Sequence, residues 1–155
     1  MDEIKRILVL SRSTKHCKKA VDYGISLAKK YGTELYVLHV FHNPFGLEGW
    51  NVPLASLPDL EAEYKKMQQD AIKNINEMIA SEQTEKMPID IIIREGDPNK
   101  ELFTVIDEKN IDLLIFLAHS EGRLEHLLTG KSNEEIIRKM PCSLIMVKQE
   151  SKAVP

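Results

Sequence analysis

Basic residues are not in surplus. The 155-residue chain has 21 lysines and arginines against 24 aspartates and glutamates, a formal net charge of −3. A surface for a phosphate backbone needs the opposite balance, so no nucleic-acid partner is expected. Long apolar runs are also missing. None approaches the roughly 20 residues that cross a bilayer, so no membrane span is expected. The opening residues Met1 to Arg6 are charged and lead straight into a short apolar segment. They lack the apolar stretch and small-residue cleavage site of a secretory signal, which points to the cytoplasm. Cysteine is scarce, with Cys17 and Cys142 the only two. That count supports no disulfide framework, and both read as packed thiols.

What is present reads as globular: 43% hydrophobic and 29% charged residues. The length suits one domain over residues 1–155 with a single core. Ile7-Leu8-Val9-Leu10 is a continuous apolar run, the mark of a parallel strand covered on both faces. Ser11 to Thr14 is polar, with Thr14 placed to cap a helix. In that helix Ala20, Val21, Ile25, Leu27 and Ala28 recur at helical spacing, and Gly32 suits a left-handed end cap. Leu35 to Phe41 reads as a second strand. Residues 42–58 hold three prolines and two glycines and read as a long loop. This loop is unusually apolar, with Phe45, Leu47, Trp50, Val52, Leu54 and Leu57. Such groups need cover, from the chain itself, a lid-like closure or a second protein.

From Asp59, the positions Leu60, Tyr64, Met67, Ala71, Ile75 and Met78 mark a long amphipathic helix. Ile89, Ile91 and Ile93 begin a third strand. Gly96-Asp97-Pro98 breaks it and opens a helix with Leu102, Val105 and Ile106 inward. Ile111 to Leu117 is a fourth strand, followed by a polar connection through Lys131. Ser132 with Glu135 fits a capping box for a short helix to Lys139, stopped by Pro141. Cys142 to Val147 is a fifth strand, and residues 149–155 read as a frayed tail. Strands alternate with helices throughout, which implies right-handed crossovers and a parallel sheet with helices on both faces. Ligands of such sheets bind beyond the carboxyl ends of the strands.

In order and spacing these segments resemble the universal stress protein family, from Lys5 to Lys148. The likeness is carried by Ile7-Leu8-Val9, by Ala20 to Gly32 and by Glu34 to Val40. It continues in Arg94-Glu95-Gly96-Asp97-Pro98, Ile111 to Ile115, Gly130, Glu134 to Arg138 and Met140-Pro141-Cys142. The resemblance implies a three-layer α/β sandwich, adenine nucleotide alpha hydrolase-like, with a five-stranded parallel sheet in order 3-2-1-4-5. It also implies a homodimer paired through Cys142 to Val147, and a site for ATP or AMP. That site would be lined by Ser11, Arg12, Val40, Leu117, His119, Ser120, Gly130, Lys131 and Ser132.

The family's nucleotide loop reads Gly-x-x-Gly, nine residues, then Gly-Ser/Thr. Here the glycines fall on Leu117, Ser120 and Gly130 and the hydroxyl on Lys131, so one glycine of three is kept. The acidic residue that assists the family's phosphate-bound metal falls on Arg12. Side chains at Leu117 and Ser120 crowd a phosphate cradle, and Arg12 reverses the charge that would hold a cation. A magnesium–ATP site of the usual kind is therefore not expected. Three arrangements stay open. Arg12 and Lys131 bind an anion directly, beside the helix start at Ser132; or both are solvated charges; or Arg12 pairs with Glu121 or Glu125.

Other motifs carry less. Gly130-Lys131-Ser132 lacks the glycine a phosphate loop needs five residues earlier, where Glu125 stands. His39 and His42 share the spacing of zinc ligands but fall at a strand end without a third ligand nearby. His119 and His126 read as loop histidines beside the crevice. No nucleophile and no metal set is assigned, so a binding or signalling role is favoured over turnover. The alternatives are an ATP- or AMP-binding protein with slow hydrolysis, and an interaction subunit contacting its partner through Phe45 to Trp50.

Overall fold

The computed structural model describes residues 3–11, 17–41, 57–80, 87–118 and 133–148. Strands β1 (Arg6–Ser11), β2 (Glu34–Phe41), β3 (Ile89–Glu95), β4 (Leu113–Leu117) and β5 (Ser143–Val147) form one sheet. Its order is β3-β2-β1-β4-β5, and every neighbouring pair is parallel. Helices α1 (Lys18–Tyr31), α2 (Leu57–Ala80) and α3 (Pro98–Lys109) cross over between strands. Residues 133–139 are also helical and are termed α4. This is the expected architecture, strand for strand.

The alternation within each strand decides which helix covers which face. Ile7, Val9, Leu35, Val37, Leu113 and Ile115 pack with Ala20, Val21, Ile25 and Ala28 of α1 and Ile75 of α2. Leu8, Leu10, Leu38, Leu114 and Phe116 turn the other way, onto Leu102, Val105 and Ile106 of α3 and Ile136 of α4. The central strand is thus enclosed on both sides, with Leu8 and Val9 fully buried. Each such side chain contributes about 1.5–3 kcal/mol by leaving water. Helix α1 comes unusually close to this strand. A Cβ on Gly24 would lie 2.4 Å from Val9 Cγ2.

The amino-terminal rim of the sheet is tied by one carboxylate. Asp112 Oδ2 accepts the backbone N–H groups of Lys5 at 2.8 Å and Arg6 at 2.9 Å. Its own N–H donates to Arg6 O and its carbonyl accepts from Ser143 N–H. One residue therefore gathers the starts of β1, β4 and β5. Ile111 is held at the end of α3, its N–H donating to Ile106 O at 3.0 Å, so β4 begins at Leu113 rather than Ile111.

The element boundaries and faces follow the sequence closely, with four further differences. Gly32 is left-handed at φ 65° and closes α1. Asp97 caps α3, accepting the Lys100 N–H at 2.9 Å, with Pro98 next. The N-cap of α1, however, is Cys17, which makes no side-chain cap, and Thr14 lies outside the described residues. Helix α2 takes in Leu57 and Pro58, which were expected in the loop. Strand β5 starts one residue late, at Ser143. Met67 is 62% exposed, not inward, and half-buried Gln68 takes the inner position.

Candidate functional site

The order of the sheet reverses at β1, between β2 and β4, and the carboxyl ends of these strands define the crevice. Ser11 ends β1 in register with His39 of β2. Leu117 ends β4, two residues beyond the Val9–Ile115 pair. Val40 follows His39. Leu117 packs on the α1 and α2 side of the sheet, whereas Val40 packs on the α3 side. The strand ends therefore bring three of the expected residues to one rim but divide them between its two faces. Arg12, His119, Ser120, Gly130, Lys131 and Ser132 lie outside the described residues, as do His42, His126 and Phe45 to Trp50.

The described part of the rim is knitted by hydrogen bonds. Ser11 is 1% exposed, and its carbonyl accepts the His39 Nδ1–H at 2.8 Å. Asn133, at the start of α4, donates from Nδ2 to Leu117 O at 3.2 Å. Ala118 N–H donates to Val147 O at 2.8 Å, and Gly96 N–H to Phe41 O at 2.9 Å. Sequence reasoning passed over Asn133. Its polar side chain at the foot of an apolar helix face was the available signal.

Electrostatics on this rim favour neutral groups. Burial pushes the His39 imidazole below its ordinary value, partly offset by the bond to Ser11. Tyr64 of α2 is raised by burial and by the charge of Glu95 at the end of β3. At the opposite, amino-terminal end of the sheet, half-buried Cys142 is pushed up to about 11, chiefly by burial, so it stays a thiol at neutral pH. Among the described residues no group of three or more His, Cys, Asp or Glu side chains could hold a metal ion.

A sequence profile of the universal stress protein family matches residues 3–148. The chain belongs to the universal stress protein family. A universal stress protein of Aquifex aeolicus is 25% identical over 138 residues, spanning 88% of this chain and all of the relative. The solved structure of universal stress protein MJ0577, from Methanocaldococcus jannaschii, superposes with a TM-score of 0.73 at 20% identity. It covers 97% of this chain and 100% of that one. A family protein of Arabidopsis thaliana, solved with AMP bound, gives a TM-score of 0.63 at 12% identity, covering 97% and 95%. At such identities the structural likeness speaks to the fold. No described helix is long and apolar enough to cross a membrane.

Proposed function

We propose that this member of the family is a cytoplasmic stress-response module that works as a homodimer, by binding and signalling. The observation that carries this reading is the contrast between the two sheet edges. Strand β3 presents Asp90, Arg94 and Glu95, charges that discourage further pairing. Strand β5 reads Ser-Leu-Ile-Met-Val with no charge at all. Met146 is 49% exposed on it, with Met140 at 58% and Ile137 at 43% nearby in the chain. An uncharged, apolar, open edge is a hazard in a monomer, and pairing with a twofold-related copy removes it.

Met146→Lys tests this reading. Ile145, also on β5, is half-buried against the core, so a charge there would disturb folding as well. Light scattering should show a dimer for the unmodified chain and a monomer, or at least a tenfold weaker dimer (about 1.4 kcal/mol), for Met146→Lys. A monomeric unmodified chain would overturn the proposal.

A second reading, supported by the AMP-bound relative and by Ser11 and Leu117 lying at the carboxyl ends of β1 and β4, is adenine nucleotide binding. With Arg12 and Lys131 in place of an acid and a hydroxyl, such binding proceeds without a divalent cation. Calorimetry with ATP or AMP should show heat that persists in EDTA and vanishes in Gly130→Asp. No heat from either nucleotide ends this reading and leaves the dimer unaffected.

A further inference from the structure

His39 is a buried base for which the binding reading has no use, and its surroundings give it one. It is 6% exposed and faces the α1 and α2 side of the sheet. Its Nδ1–H is committed to Ser11 O. The Phe41 ring meets it edge-on, centroids 4.4 Å apart at 77°. Phe41 in turn meets Tyr64 of α2 at 6.2 Å and 74°. A ladder of three rings therefore runs from the carboxyl end of β2 to the first half of α2.

Among the described residues that half of the helix has few other ties, the Tyr64 hydroxyl to Glu95 of β3 being one. From residue 58 to residue 70 no side chain is fully buried, and Leu60, Tyr64 and Gln68 are half-buried. The second half is anchored in the core by Ala71 and Ile75. A segment with so few buried contacts opens locally at low cost, and the ring ladder, with the Tyr64–Glu95 tie at its end, contributes to that cost.

Among the described residues the groups around the imidazole offer no counter-charge. On β1 it meets the Ser11 carbonyl. On β3 its register partner is Ile93, with Glu95 two residues on and turned to Tyr64. On α2 it is approached through Phe41 by Tyr64, beside Gln68. Among the described residues no charged side chain bears on its titration. A proton on Nε2 would place an unpaired cation in an enclosed aromatic site, which is costly unless the site opens.

We propose that His39 is a proton-controlled latch: the neutral ring holds residues 58–70 of α2 on the sheet, and protonation releases them. The released segment uncovers the carboxyl ends of β2 and β3, the flank of the crevice. This inference rests on the fold and the ring ladder and is independent of nucleotide binding.

Hydrogen exchange on the full chain tests it, with rates corrected for the intrinsic effect of pH. One group protonating in the open form alone raises the opening constant by up to about tenfold per pH unit below pH 6.5. Residues 58–70 should show that rise between pH 6.5 and 5.5, and residues 71–80 should not. His39→Gln, which keeps a donor but takes no proton, should flatten the response. A flat response in the unmodified chain, an equal response in both halves, or an unchanged response in His39→Gln would overturn the latch. Should that variant fail to fold, NMR of the unmodified chain decides. The His39 ring and the amides of 58–70 must titrate together, and midpoints more than about one pH unit apart overturn the proposal.

Discussion

A mid-helix glycine is ordinarily a weakness, and replacing it with alanine should add up to about 1 kcal/mol of helix propensity. Gly24 is the exception in this chain. The methyl group of Gly24→Ala would stand 2.4 Å from Val9 Cγ2, and Val9 is fully buried in the central strand. Overpacking of that kind costs about 1–3 kcal/mol. Val9 is β-branched and enclosed, and Leu35 Cδ1 lies 3.3 Å from the same point, so neither neighbour can give way cheaply. The clash should outweigh the propensity, and urea denaturation should show a lower midpoint for Gly24→Ala at unchanged slope. Neither Gly24 nor Asp112 could be singled out from the sequence. The glycine sits inside an ordinary amphipathic pattern, and the tie from Asp112 to Lys5 spans 107 positions. Contacts at that range leave no periodic trace along the chain.

Among the elements, those defined by local rules were legible. Gly96-Asp97-Pro98 specified both the end of β3 and the start of α3, and the structure has Asp97 accepting from Lys100 N–H. Asp97→Ala should therefore cost about 1 kcal/mol of stability, read as a lower thermal midpoint. Asn110, left-handed at φ 50°, closes the same helix and was not foreseen. Helix α2 shows how a three- or four-residue rule blurs. At 100° per residue Met67 falls about 60° from the axis of the inner stripe, and Gln68 only about 40° on the other side. Position outranked polarity, so the methionine faces out and the glutamine faces in.

For the whole molecule, the parallel sheet and its order followed from alternating strands and helices together with the family resemblance. The site was less legible. The sequence singled out rim residues by family position, and Ser11, Val40 and Leu117 do stand at strand ends, but the fold sets Val40 and Leu117 on opposite faces. Which face a rim residue serves depends on strand register, which no local motif encodes. A homodimer held through β5 also predicts that the thermal midpoint rises with protein concentration, since association stabilises by mass action, and that Met146→Lys abolishes this rise.

The tie made by Asp112 bears on how the chain comes off the ribosome. Strand β1 emerges first, yet one of its two neighbours is β4, whose residues emerge more than a hundred positions later. Until then β1, β2 and β3 can assemble only as a half-sheet whose most apolar strand lies bare along one side. Late closure of this kind makes folding slow and exposes the nascent chain to aggregation. A transcript cut short before codon 113 would yield a product with that flank permanently open. Such fragments should accumulate as insoluble material, not as smaller working domains.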